Sequence, residues 1–184
     1  MIDQKSINRN NRKRGSHFEK VGADFLEMDV VPYSGSNARF GYGDVRDSKW
    51  LGEFKNITPK NNRICIKHKW IIDNTEKSNI YNLMPFLAWM PAGKSNKYII
   101  IDKNVFDVLK VDYDITINIP KKSKTAVNIF INLNDNWIKL INNNNDHKIA
   151  NIIFGDVCYF MMNIYTFKFL INSKGLKGEK QKYI

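Results

Sequence analysis

Apolar positions follow a helical stripe near the start of the chain and switch to a two-residue alternation soon after. Phe18, Val21, Gly22, Phe25 and Leu26 recur at i, i+3, i+4, i+7 and i+8, which predicts a short helix opened by Ser16 as its N-cap. Val30-Val31-Pro32 reads as a first strand, and the Gly/Ser-rich stretch 34–43 as a flexible loop. Residues 44–56 read as a hairpin that turns at Asp47-Ser48. A polar connection over 59–63 leads to the apolar pair Cys65-Ile66, and 67–81 predicts a helix with Trp70, Ile71 and Ile80 turned inward. Stretches 83–90 and 97–102 read as paired strands, followed by a short helix around Val105, Phe106 and Leu109. Beyond residue 112, segments 115–119, 127–133 and 137–141 alternate as strands do, and the four asparagines at 142–145 predict a turn. The dense apolar run 158–171 reads as core, with an oligomer contact as the alternative.

These elements predict an α/β fold, a mixed central β-sheet flanked by helices, with a β-rich C-terminal extension. The chain divides into a basic flexible arm (1–14), a core (15–110) and an extension (111–184) that serves DNA binding or dimerisation. At 184 residues and 43% hydrophobic content the chain can bury a core. It has no apolar run of the roughly 18 residues that a membrane span needs, nor the apolar segment of a signal peptide. A soluble, intracellular protein is therefore expected. Cys65 and Cys158 are far apart and without metal-type neighbours, which predicts small, reduced, buried residues.

Charge narrows the partners. The formal net charge is +11, which favours a polyanion, with nucleic acid foremost. Basic residues gather in an N-terminal group (Lys5, Arg9, Arg12, Lys13, Arg14), a C-terminal group (Lys174, Lys177, Lys180, Lys182) and a middle group (Lys60, Arg63, Lys67, Lys69). The abundance of Asn, Lys and Ile reflects AT-rich codons and implies no chemistry.

The chemistry sits in the hairpin. Side chains on a strand alternate faces, so Glu53 and Lys55 point one way and Phe54 the other. Pairing of the two strands brings Asp44 beside Glu53. Two carboxylates and an ammonium on one surface suit metal-assisted phosphodiester hydrolysis, in which oxygen ligands hold Mg²⁺ and the lysine attends the attacking water. A solvated surface hairpin is the bland alternative. Glu19 also has two readings. Ser16-x-x-Glu19 is a capping box, yet position 19 borders the apolar stripe and can lean toward the metal site. His17, His68 and His147 lack metal or triad spacing, with His68 a candidate phosphate contact.

In this order, residues 12–56 resemble the PD-(D/E)XK nuclease superfamily, and within it the archaeal-type Holliday junction resolvases and their phage relatives. Arg12-Lys13-Arg14-Gly15-Ser16 with Glu19 is similar to the family's basic arm and helix-borne glutamate. Pro32-Tyr33-Ser34-Gly35-Ser36 resembles its serine loop, Gly43-Asp44 stands where Pro-Asp is usual, and Glu53-Phe54-Lys55 matches E-x-K. Ile66, Trp70-Ile71, Pro85 and Tyr98-Ile99-Ile100-Ile101 are similar to the remainder of that fold, so the likeness covers about the first 110 residues.

The resemblance implies a restriction-endonuclease-like core and catalysis by Glu19, Ser34, Asp44, Glu53 and Lys55. It implies Mg²⁺, with Mn²⁺ as a substitute, held by Asp44, Glu53 and Glu19, with the Phe54 carbonyl a further ligand. Arg12, Lys13, Arg14, Ser36, Arg39, Lys60, Arg63 and Lys67 would contact branched DNA, and a homodimer would make the paired cuts. A restriction- or repair-type nuclease of the same superfamily and a non-catalytic nucleic-acid-binding module are the competing expectations. The sequence departs from the family at Gly43, in place of the motif proline, and at Gly52, where an apolar residue usually packs and where a bulge or a close neighbour is expected.

Overall fold

A computed structural model describes residues 4–32, 43–119 and 128–180, with side chains from Lys13 onward in the first of these. The chain forms α1 (Gln4–Leu26), β1 (Asp29–Val30), β2 (Val45–Arg46), β3 (Trp50–Ile57), β4 (Arg63–Lys67), α2 (His68–Ile80), β5 (Met84–Pro91) and β6 (Tyr98–Asp102). It continues through α3 (Lys103–Leu109), β7 (Ile115–Asn118), β8 (Asn128–Asn132), α4 (Asn136–Ile141), β9 (Ala150–Phe154), β10 (Val157–Asn163) and α5 (Ile164–Ser173). Eight strands form one mixed sheet in the order β1-β2-β3-β5-β6-β10-β9-β7, while β4 and β8 make a separate two-stranded pair. The pairs β3–β5 and β7–β9 are parallel and the others antiparallel. The fold is α/β, as the alternating pattern predicts.

Strand alternation divides the core into two layers. Phe86, Ala88, Ile99, Ile101, Phe160 and Met162 face one side, where Phe18 of α1, Phe106 of α3 and Phe167 of α5 cover them. Leu87, Trp89, Tyr98, Ile100, Tyr159 and Met161 face the other, under Ile71 of α2, Ile64 and Ile66 of β4, Ile129 and Ile131 of β8 and Trp137 of α4. Central strands buried on both faces read as continuous apolar runs, which is why Tyr98-Ile99-Ile100-Ile101 carries no polar alternation. Among the described residues, no helix is long and apolar enough to cross a membrane.

Several expectations change. The helix expected to open at Ser16 begins at Gln4, so residues 4–14 are helical and Ser16 lies inside the helix. The polar first half carries no apolar stripe, but Lys, Arg and Gln are good helix formers and no proline interrupts them. With Ser16 interior, the capping-box reading of Glu19 falls. Val21 is exposed, and the buried face runs through Phe18, Gly22, Ala23 and Leu26 instead. Residues 137–141, read as a strand, form α4, since Trp137, Ile138 and Ile141 share one helical face. Ile80 is exposed at the end of α2, and Cys65 and Cys158 are half-buried free thiols, not fully buried.

The boundary expected near residue 110 does not interrupt the sheet. β10 pairs with β6 at the centre, and α5 packs onto the same apolar layer as α1. Within the run 158–171, Phe160 and Phe167 are core, whereas Tyr165 and Phe169 remain about half exposed at 48% and 49%.

Candidate active site

The hairpin forms in the expected register. Val45 faces Gly52 and Arg46 faces Leu51. The Asp44 N–H then donates to the Gly52 carbonyl at 2.9 Å, which places Asp44 at the level of Glu53. Because β2 has only two residues, β3 has no strand partner on that side beyond Gly52 among the described residues. The outward N–H of Phe54 is met instead by the Asp44 carboxylate, which accepts it at Oδ2 at 2.8 Å. That bond satisfies an edge donor and fixes the carboxylate beside the strand.

Two glycines permit the packing around it. A Cβ on Gly22 would lie 2.1 Å from the Phe54 ring, so α1 reaches β3 only with glycine there. A Cβ on Gly52 would lie 2.3 Å from the Phe86 ring, so the departure at this position is a close approach between neighbouring strands. Phe18 adds an edge-on contact to Phe54 at 5.0 Å. Gly43 has φ +83°, a conformation closed to proline, whose ring holds φ near −65°. Glycine before Asp44 is therefore required by this backbone.

Phe54 points into the α1 layer, and Glu53 and Lys55 point to the α2 side. The Lys55 ammonium pairs with Glu53 Oε1. Lys77 of α2 lies 3.9 Å from Glu53 Oε2, and Lys55 sits 5.8 Å from the centre of the Trp70 ring. The side chains of Lys55 and Glu53 are only 26% and 14% exposed, which rejects the reading of a solvated surface pair. Burial alone would depress the Lys55 pKa, but the charges of Glu53, Asp44 and Glu19 outweigh it and hold the ammonium above its ordinary value.

Glu19 completes the cluster from α1. Burial first, then the charge of Asp44 and, less strongly, that of Glu53, push its pKa to about 7 against the opposing pull of Lys55. Burial is the larger cause and the neighbouring carboxylates the second, and groups perturbed in this way gather at functional sites. Among the described residues, no three Asp, Glu, His or Cys side chains gather closely enough to hold one ion. The donors are hard carboxylate oxygens, which suit a hard divalent cation such as Mg²⁺ better than a soft metal. Asp44 and Glu53, level on the hairpin, could hold it; Glu19, expected as a third ligand, is not gathered with them into one group of three.

The remaining candidates are scattered. Lys13 and Arg14 are exposed on α1. Arg14, Asn56, Thr58 and Ala92 line a cavity of about 190 Å³ at the far end of β3, with no carboxylate among its described lining residues. Lys67 lies 5.5 Å from the Trp70 ring, the same ring that Lys55 approaches. Lys60 and Arg63 flank a tight turn, exchanging backbone bonds of 2.9 Å across Asn61 and Asn62, both at positive φ. They are not brought to the carboxylates by any contact described. His68, a candidate phosphate contact, is instead hydrogen-bonded to the Tyr159 hydroxyl. Ser34, Ser36, Arg39 and the side chain of Arg12 lie outside the described residues.

Sequence reasoning missed Lys77 and Trp70 as neighbours of the site. They stand seven residues apart on α2, about two turns and hence on one face, a signal usable only once α2 is known to cover this side of β3. No family model, curated protein or solved structure matches this chain.

Proposed function

We propose that the protein is a Mg²⁺-dependent structure-specific DNA endonuclease that cuts phosphodiesters at four-way junctions, with Mn²⁺ able to replace Mg²⁺. The observation that carries the reading is the half-buried cluster in which Asp44 and Glu53 sit level on paired strands, Lys55 shares the Glu53 face, and Glu19 is lifted to about 7 beside them. Asp44, Glu53, Lys55 and Glu19 are among the residues that carry the resemblance of the sequence to PD-(D/E)XK nucleases.

Asp44 and Glu53 would hold the metal. When bound, it would neutralise charge on the scissile phosphate and lower the pKa of a coordinated water. Lys55, firmly protonated, stabilises the negative charge that grows on the phosphoryl oxygens and orients the attacking water. Glu19 takes a proton near neutrality or accepts a hydrogen bond from water at the same centre. Arg14, with Asn56 and Thr58, offers an anion-compatible cavity on the same strand, suited to a neighbouring phosphate.

A purely binding module is disfavoured by the cluster, since carboxylates beside phosphates repel the ligand unless a cation intervenes. A restriction- or repair-type enzyme would need a unit for reading bases, and residues 128–180 are largely engaged in the sheet and its core. Paired cuts require two sites, which a two-fold homodimer supplies.

The test is cleavage of a synthetic four-way junction beside linear duplex and single strands, with and without Mg²⁺. Symmetric nicks on the junction that require Mg²⁺ or Mn²⁺, from a protein of dimeric mass by light scattering, are the expected result. Equal cutting of all three substrates would remove the junction assignment, and no cutting with either ion would remove the nuclease.

A further inference from the structure

The segment after α5 crosses back to the turn of the site hairpin. The Trp50 indole N–H donates to the Leu176 carbonyl at 2.8 Å, and the Lys49 ammonium to the Gly175 carbonyl at 2.8 Å. The Ser48 N–H donates to the Glu179 carbonyl at 3.0 Å, and the Glu179 N–H returns to Ser48 Oγ at 2.8 Å. Lys177 pairs with Glu27 just past the end of α1. A segment with little apolar content is thus tied to the turn by main-chain bonds over its whole length.

Asp47 is the centre of that tie. It is 1% exposed. Its Oδ1 accepts the N–H groups of Lys49 and Trp50 at 2.7 Å each, closing the turn locally. Its Oδ2 accepts the Gly178 N–H at 3.1 Å, so one oxygen serves the turn and the other a residue 131 positions away. A Cβ on Gly178 would lie 2.1 Å from Asp47 Oδ1, so only glycine lets the backbone come this close.

The turn lies between the two strands that carry the site. β2 is two residues long; it pairs at Val45 and Arg46 with β3 and, on its other edge, with the equally short β1, where the Val31 N–H also donates to the Asp44 carbonyl at 2.9 Å, so its register rests on two short pairings. Asp44 lies immediately before it and must meet the Phe54 N–H. We propose that residues 175–179 form a strap that locks the hairpin turn, with Asp47 and Gly178 as positioning residues that hold Asp44 against Phe54 and level with Glu53. The catalytic consequence rests on the nuclease reading above, whereas the structural consequence does not.

Two full-length variants test it. In Asp47→Asn the amide oxygen still closes the turn, but its NH₂ faces the Gly178 N–H, donor against donor, so the strap alone is repelled. Gly178→Ala sets a methyl group against the Asp47 carboxylate and pushes the strap away while leaving every hairpin residue in the sequence unchanged. Tryptic cleavage after Lys177 and Lys180 reports strap release, hydrogen exchange at the Phe54 amide reports the Asp44 bond, and junction cleavage reports function.

Both variants are expected to be nicked by trypsin about tenfold faster and to exchange the Phe54 amide about tenfold faster. kcat should fall on the order of 10- to 100-fold with KM and junction affinity within about twofold, the signature of misplaced chemistry and not of lost binding. Unchanged tryptic rates would show that Asp47 and Gly178 do not hold the strap. A released strap with unchanged Phe54 exchange and unchanged kcat would show that it positions nothing, and either result overturns the proposal. If the wild-type protein cuts no DNA with either ion, the nuclease reading fails separately and the Phe54 exchange alone decides the strap.

Discussion

Glu19 sits half-buried beside two other carboxylates, and its titration has a definite sign. Its carboxyl is lifted from 4.5 to about 7 by burial and by Asp44 and Glu53, so between those values the folded protein holds a proton that the unfolded chain has released. Folded stability therefore falls as pH rises through this window, and the penalty is fully present above about 7. Without divalent ions, Glu19→Gln should raise the melting temperature at pH 8 and leave it nearly unchanged at pH 4.5. Thermal unfolding of both proteins at the two pH values checks this, and equal shifts at both would mean that Glu19 is not lifted. Asp44, Glu53 and Lys55 were legible in the sequence because the two-residue strand period and one short turn place them without reference to the rest of the fold. Lys77, Trp70 and the second oxygen of Asp47 were not, since their neighbours come from elements far away in the chain.

Among elements, α1 and β3 matter most for the site, and they meet through Gly22 and Phe54. A methyl group at position 22 would overlap the ring at 2.1 Å, and Phe54 is held between Phe18 and Phe86 with no room to move away. Gly22→Ala should therefore lower stability by about 1–3 kcal/mol, the usual cost of overpacking, despite the better helix propensity of alanine. Denaturant unfolding measures it, and a stabilised variant would contradict the packing described. The buried strands were readable from their continuous apolar runs and β-branched residues. The length of α1 was not, because periodicity is read from an apolar stripe and residues 4–14 carry none. α4 was misread because six residues are too few to separate a helical stripe from an alternating one.

For the whole molecule, the sequence suggested a core and an extension, but the sheet runs through both, with β10 from the last third beside β6 at its centre. Long-range strand order is set by which apolar faces can be buried together, and a single sequence does not carry that information locally. On the proposed reading, the net charge of +11 would draw the protein to DNA phosphates. Binding should weaken steeply with salt, with a log–log slope of several units, and replacing Lys13 and Arg14 by alanine should make it shallower by about one unit per lost phosphate contact. Junction affinity across a salt series measures both slopes, and identical slopes would exclude this part of α1 from the interface. The central claim, that the carboxylate pair on the hairpin is a phosphodiester-hydrolysing centre, is tested most directly by Asp44→Asn and Glu53→Gln in Mg²⁺, with junction binding measured on the same preparations. Cleavage should fall by at least about 100-fold while binding persists or tightens, because each variant loses a metal ligand and a negative charge near the phosphates. Cutting by either variant at the wild-type rate would contradict the account.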